Sequence, residues 1–308
     1  MTKHHHTWAL AASLLLVGLA QAQPAAATPP YVSAGVEASD DSDGFQEFKP
    51  WMQYETSNGW GARAGWQHYR QGDWSDTGRS LFVTHRMQQD AWSSNGRLGL
   101  NRTAGHGHIV GAWDGMYQWT GSTAAGVSAE RDVVNSQIGL REGLTANTAM
   151  AVLDHQFHPR FGVGLAAGST WFSDDNRRDI LRSRWTFTLS EDQGWYLYTS
   201  TRHYRNSDPY RRASFSPAHF REAALGVMWK TAITDEVAIS ANADMGRQYI
   251  DRDGQQLWHV GLYLSSRHRA PVQWKVGFAI SKDHASALGG AAEGYRYTSA
   301  VASVRMPF

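Results

Sequence analysis

Arginine and tyrosine stand two residues apart in several stretches of the sequence, and that spacing limits the chemistry open to them. Arg182 and Arg184 alternate with Leu181, Ser183, Trp185 and Phe187, while Tyr196, Tyr198 and Arg202 alternate with Trp195, Leu197 and Thr199. Side chains at i and i+2 of an extended chain share a face, so these cations and phenols stand on the wet side of a ribbon whose other side is oily. The same parity places Arg141, Tyr204, Glu222, Asp244 and Tyr263 on the wet side. It does so too for Arg267, Lys275, Tyr295, Tyr297 and Arg305. A wall of guanidinium and phenol groups can stack on sugar rings and hydrogen-bond to them, weakly and repeatedly. The other reading of the same residues is that the charges pair with one another and stiffen the wall.

More localised chemistry is thinly represented. The segment SDDNRRD places Asp174, Asp175, Arg177, Arg178 and Asp179 together, a mixed cluster that would hold a cation or an anionic glycan but also has the make-up of a solvated loop. Ser57 lies in SNG, and His155 and His158 lie in DHQFHPR. The alternative of a barrel enzyme acting on lipid or lipopolysaccharide would need a Ser-His or Asp-His pair within hydrogen-bond reach on the outer rim, with His203 and His259 as further candidate bases. SNG and His158-Pro159-Arg160 are better explained as turns, and His-x-x-His on a strand end lacks the further ligands a metal requires. The chain has no cysteine, so neither a disulfide framework nor a thiolate metal site is open to it. No catalytic group, metal or cofactor is expected.

Positioning a wet face of this length requires many strands. The last stretch alternates to its final residue: Ala300, Ala302, Val304, Met306 and Phe308 share one face, and Tyr295, Tyr297, Ser299, Ser303 and Arg305 the other. An unpaired apolar edge at the chain end invites aggregation in water, whereas a closed barrel in lipid uses it as the closing strand. From Pro29 onward about sixteen such segments follow one another, each of the roughly ten residues that a tilted transmembrane strand needs. In the first half they cover 31–39, 47–56, 60–70, 79–88, 93–102, 107–118, 133–142 and 145–157, with the weakest pattern over 119–132. Tight turns are expected at SNG, HPR, SEDQG, TAITDE and RHRAP. Longer polar loops are expected at 71–78, 173–179, 205–219, 250–256 and 283–294. Short turns facing long loops imply an even number of strands and both termini on the periplasmic side. The fold expected is an all-β, antiparallel, up-and-down transmembrane barrel.

Composition agrees. Residues 1–22 read as a secretory leader: Lys3, an apolar core from Ala9 to Ala20 and the small-residue site Ala20-Gln21-Ala22. Residues 23–308 then form the barrel, which the general secretory pathway would deliver to the outer membrane. Mean hydropathy is −0.48, which suits a soluble protein and equally a barrel in which only every second residue meets lipid. A formal charge of +1 gives no bulk attraction for nucleic acid. The 14 Trp and 12 Tyr would supply girdles at the two lipid–water interfaces or the walls of a sugar-binding groove, and composition does not separate the two.

Two stretches resemble a known group. GVSAERDVVNSQIGLREGLTANTAMAVLDHQFHPRFGVGLAAGSTWFSDDNRRDILRSRW (126–185) and YRNSDPYRRASFSPAHFREAALGVMWK (204–230) are similar to the C-terminal barrel of bacterial exopolysaccharide-export proteins. That group includes the poly-N-acetylglucosamine export porin, the cellulose export barrel and small YaiO-type barrels. The resemblance implies a pore for secreting a polysaccharide. The terminal Phe308 resembles the signal that outer-membrane barrels present to the barrel-assembly machinery. The large export proteins carry helical repeats of about 34 residues ahead of the barrel. This sequence has none, which leaves two alternatives: a separate periplasmic export partner, or a role outside export.

Overall fold

The computed structural model describes residues 29–267, 270–282 and 295–308; the leader expected over 1–22 and the loop expected over 283–294 lie outside them. The first strands are β1 (Tyr31–Asp41), β2 (Phe45–Glu55), β3 (Trp60–Gln71), β4 (Trp74–Gln89), β5 (Trp92–Thr103) and β6 (His106–Thr120). After β7 (Thr123–Val133) comes a one-and-a-half-turn helix, α1 (Gln137–Glu142), and then β8 (Thr145–His158), β9 (Phe161–Phe172), β10 (Arg177–Ser190) and β11 (Trp195–Asn206). The chain ends with β12 (His219–Ala232), β13 (Val237–Ile250), β14 (Asp253–Ser266), β15 (Gln273–Lys282) and β16 (Tyr297–Pro307).

Each strand pairs antiparallel with its sequence neighbours, and β16 returns to β1, so the sixteen strands among the described residues form one closed barrel. The closing seam runs without a break from Tyr31 opposite Pro307 to Asp41 opposite Tyr297. Val32 and Met306 share one register position and face outward; Ser33 and Arg305 share the next and face inward. Closure removes both sheet edges, which in hydrocarbon would strand unpaired backbone groups.

The two faces differ in the way lipid demands. The outer face presents Leu81, Leu98, Leu100 and Ile109, each more than 60% exposed, as an aliphatic belt. Around the rim where β1 begins and β16 ends, which carries the termini of the described barrel, outward rings gather in pairs. Trp92 meets Tyr117, Phe161 meets Phe187, Trp195 meets Trp229, and Tyr54 meets Phe308. Aromatic rings of this kind belong at the headgroup level of a membrane.

Several expectations need correction. The segment 133–142 is not a strand: β7 ends at Val133, and α1 follows, with Ser136 as its N-cap and Gly143, at φ 67°, ending it. The strand that belongs here is β7 itself, in the stretch of weakest pattern. The expected loop 71–78 reduces to residues 72–73, and 250–256 to 251–252. In both, the flanking strands stay paired up to a two-residue turn, from Gln71 opposite Trp74 and from Ile250 opposite Asp253. Of SDDNRRD only 173–176 is loop, because Arg177 already opens β10. The loop 205–219 is present as residues 207–218.

Candidate functional site

The inner wall is built by register. Arg182 lies directly across from Arg202, Arg202 across from Glu222, and Tyr198 across from both Thr186 and Gly226. Arg184, Tyr196, Asp244, Tyr263, Lys275, Tyr297 and Arg305 share that inward parity. These groups interact along the wall. Arg202 holds Glu222 at 3.4 Å, with both side chains nearly inaccessible. The Tyr198 hydroxyl donates to Asp244 Oδ2 at 2.6 Å, and Asp244 also lies 3.4 Å from His259 Nδ1. Cations cover rings: Arg184 on Tyr198 at 4.0 Å, Lys275 on Tyr263 at 4.8 Å, and Arg305 on Tyr31 at 3.4 Å.

Two of the expected lumen residues are elsewhere. Arg141 sits in the last turn of α1 and points to solvent, because that segment is capped as a helix and has no strand face. Arg267 follows the end of β14 and reaches Asp235 at 3.5 Å in the neighbouring turn, at the rim that carries the termini. Tyr204 and Tyr295 do point inward, but into packing and away from open space. Both belong to a buried cluster with Ile180, Phe215 and Phe220.

The sequence reading did not single out the opposite half of the wall. There Lys49 pairs with Glu47 at 2.5 Å, Arg63 with Glu37 at 3.8 Å, and Arg86 with Glu55 at 2.5 Å. Arg97 stands between Glu130 at 3.5 Å and Asp132 at 3.9 Å. Glu37, Lys49, Trp51, Arg63 and Asp132 line a small cavity against the wall. The signal was present in FQEFKPWMQYE, where Glu47, Lys49, Trp51, Gln53 and Glu55 keep strict alternation.

Two connections fold over the mouth opposite the termini. In the loop 207–218, Ala213, Ser214, Phe215 and Ser216 are buried, with Phe215 edge-on to Tyr204 and Phe220. Arg178 anchors this loop, donating through Nη2 to the Phe215 carbonyl and through Nε to Asn206 Oδ1 at 3.1 Å. Asn206 in turn donates to the Pro217 carbonyl at 2.6 Å. On the facing side, Ser136 caps α1 and donates to the Ala213 carbonyl at 2.7 Å, so the two connections touch. Asn135 beside it reaches Glu47 on β2, spanning strands that are not neighbours. Tyr295 completes the mouth: burial pushes its phenol well above the ordinary range, and the protonated hydroxyl donates to Asp41 at 3.3 Å.

The groups that hydrolysis would need are only partly assembled. His155 bonds Thr123 on the outer face, and His158 Nδ1 accepts from the Arg160 amide in its turn. His203 shares the outward parity of Leu181 and Arg221. His259 has Asp244 beside it and Ser281 directly across on β15, yet its Nδ1 faces the Asn242 amide at 2.9 Å. Among the described residues no hydrogen bond joins His259 to Ser281, which is the contact that activates a nucleophile. Nor does any group of three or more His, Cys, Asp and Glu among them have the arrangement of a metal site.

No family model matches the chain, and no curated protein matches it. Solved structures do. A "Bacterial polysaccharide outer membrane secretin" superposes with a TM-score of 0.73 at 13% identity, over 92% of this chain and 100% of that one. OccK7 (OpdD) of Pseudomonas aeruginosa gives 0.50 at 8% identity, over 91% and 98%. CdiB from Acinetobacter baumannii gives 0.51 at 9% identity, over 90% of this chain but 60% of that one. At these identities the likeness is one of fold. Among the described residues the chain forms a closed, sixteen-strand, antiparallel up-and-down barrel, and its fold is similar to that of these bacterial structures.

Proposed function

We propose that the chain is a channel of the bacterial outer membrane that passes an extracellular polysaccharide outward, without catalysis or cofactor. The observation that carries this reading is the contrast between its faces: an aliphatic, aromatic-rimmed exterior around an interior of arginine, tyrosine and carboxylate groups. A packed core would serve stability better with apolar residues inside. A polar interior serves passage of a polar solute. The fold likeness to a bacterial polysaccharide outer membrane secretin supports the class of cargo. The two termini, close together at one rim, face the periplasm in this reading, where a separate partner delivers the polymer. The C-terminal strand, with Phe308 following it, is what the assembly machinery takes hold of.

The loop 207–218 makes the opposite mouth the gate. Planar-bilayer recordings test this. The intact barrel should show small, flickering conductance, and replacing residues 209–217 by a short Gly-Ser linker should raise it several-fold, because the Phe215 cluster no longer fills the mouth. A barrel that stays silent after that replacement, while its loops still mediate surface attachment, would instead be an adhesive or structural one.

A further inference from the structure

The two halves of the inner wall differ in charge, and only one of them is neutralised from within. On β1, β2 and β7, the carboxylates of Glu37, Glu47, Glu55, Glu130 and Asp132 each have a Lys or Arg nitrogen 2.5 to 3.9 Å away. On the half from β10 to β15 the excess is basic. Arg182, Arg184, Lys230 and Lys275 face inward, and among the described residues none of them has a carboxylate within ion-pair distance.

Arg182 and Arg202 share one register position, a like-charge juxtaposition that a sheet tolerates poorly. The carboxylate on the next strand, Glu222, bonds Arg202. The Nε atoms of Arg182 and Arg184 are buried with no hydrogen-bond partner. Neither guanidinium has a carboxylate partner among the described residues, so the positive charge that they bring to this wall is left for an anion entering the lumen to meet. Flat rings accompany the cations on the way to the rim with the termini, Tyr198 beneath Arg184 and Tyr263 beneath Lys275.

We infer that this wall is a binding track for an acidic glycan, a saccharide polymer carrying carboxylate or sulfate groups, with Arg182 and Arg184 as its central subsite. The inference takes the saccharide from the channel reading above and adds the acid. Each guanidinium offers a fork of N–H donors that matches a carboxylate or sulfate edge, and the tyrosines offer faces to the sugar rings between acids. A neutral glycan would gain only the ring contacts. A cationic one would meet this half of the wall as repulsion.

Calorimetric titration of the full-length barrel in detergent tests it, with three hexasaccharides as probes: an oligogalacturonate, a sulfated oligosaccharide and a neutral cello-oligosaccharide. At least one acidic probe should bind about tenfold or more tightly than the neutral one, with the advantage shrinking as salt rises. Whichever acid is stronger names the group. Arg182→Gln with Arg184→Gln should remove about tenfold of the acidic affinity, while Glu37→Gln on the opposite half leaves it within about twofold. If the double variant does not assemble, Arg184→Gln alone carries the test, with a loss of about threefold expected. Equal binding of acidic and neutral probes, or acidic affinity unchanged in the arginine variants, overturns the track. Binding is read without current, so a barrel that binds acids but never conducts refutes the channel alone. One that conducts without discriminating refutes the track alone.

Discussion

Glycine opposite an inward ring is the smallest working unit of this wall. Gly35 lies across from Trp51, Gly226 from Tyr198 and Gly277 from Tyr263. In each case the ring lies down over the bare backbone; a Cβ on Gly35 would stand 2.7 Å from Trp51 Cζ2. The glycine sets the tilt of the ring, and the tilt sets whether a cation can cover it, as Lys275 covers Tyr263. Gly277→Ala should push the Tyr263 ring off its seat and destabilise the barrel by about 1–3 kcal/mol. Urea unfolding in lipid vesicles measures this, and an unchanged midpoint would mean that the ring is not held. The sequence shows these glycines alternating with apolar residues. It does not show which ring covers which glycine, because that depends on cross-strand register, and register is set by closure of the whole sheet.

At the scale of elements, the legible strands were those with the sharpest contrast between faces, such as β10, with Leu181, Trp185 and Phe187 against Arg182 and Arg184. β7 was nearly invisible because TAAGVSAERDV has small residues on both faces for most of its length. In the segment after it, Ile138 and Leu140 imitate a strand alternation, but Ser136 and Gly143 are helix punctuation, and those caps prevailed over a weak pattern. Loop direction was out of reach for a different reason: the burial of Phe215 depends on Arg178, Tyr204 and Phe220, which the sequence places on different strands. Phe308 lies beyond the last strand, 68% exposed, held by its amide to the Pro30 carbonyl at 3.1 Å and by the ring of Tyr54. Deleting it removes little packing. Refolded stability should therefore change by less than about 1 kcal/mol, while the yield of assembled barrel in cells falls sharply. Equal losses in the test tube and the cell would make Phe308 a packing residue rather than a signal.

For the whole molecule, closure turns a periodic sequence into two environments, and every functional statement depends on the inner one being wet. Charged residues that would be costly in lipid pair with one another on the inward parity and, in the channel reading, meet water and a polar solute there. The absence of cysteine makes the wall directly addressable. Single cysteines at Ser200 and Ser240 lie on the inward parity of β11 and β13, and single cysteines at Thr199 and Ala241 lie on the outward parity beside them. The decisive measurement is the rate at which a water-soluble maleimide modifies each of these four variants in lipid vesicles. Fast reaction at 200 and 240 with slow reaction at 199 and 241 is the predicted result; equal rates at neighbouring positions, or the reverse order, would contradict a water-filled barrel.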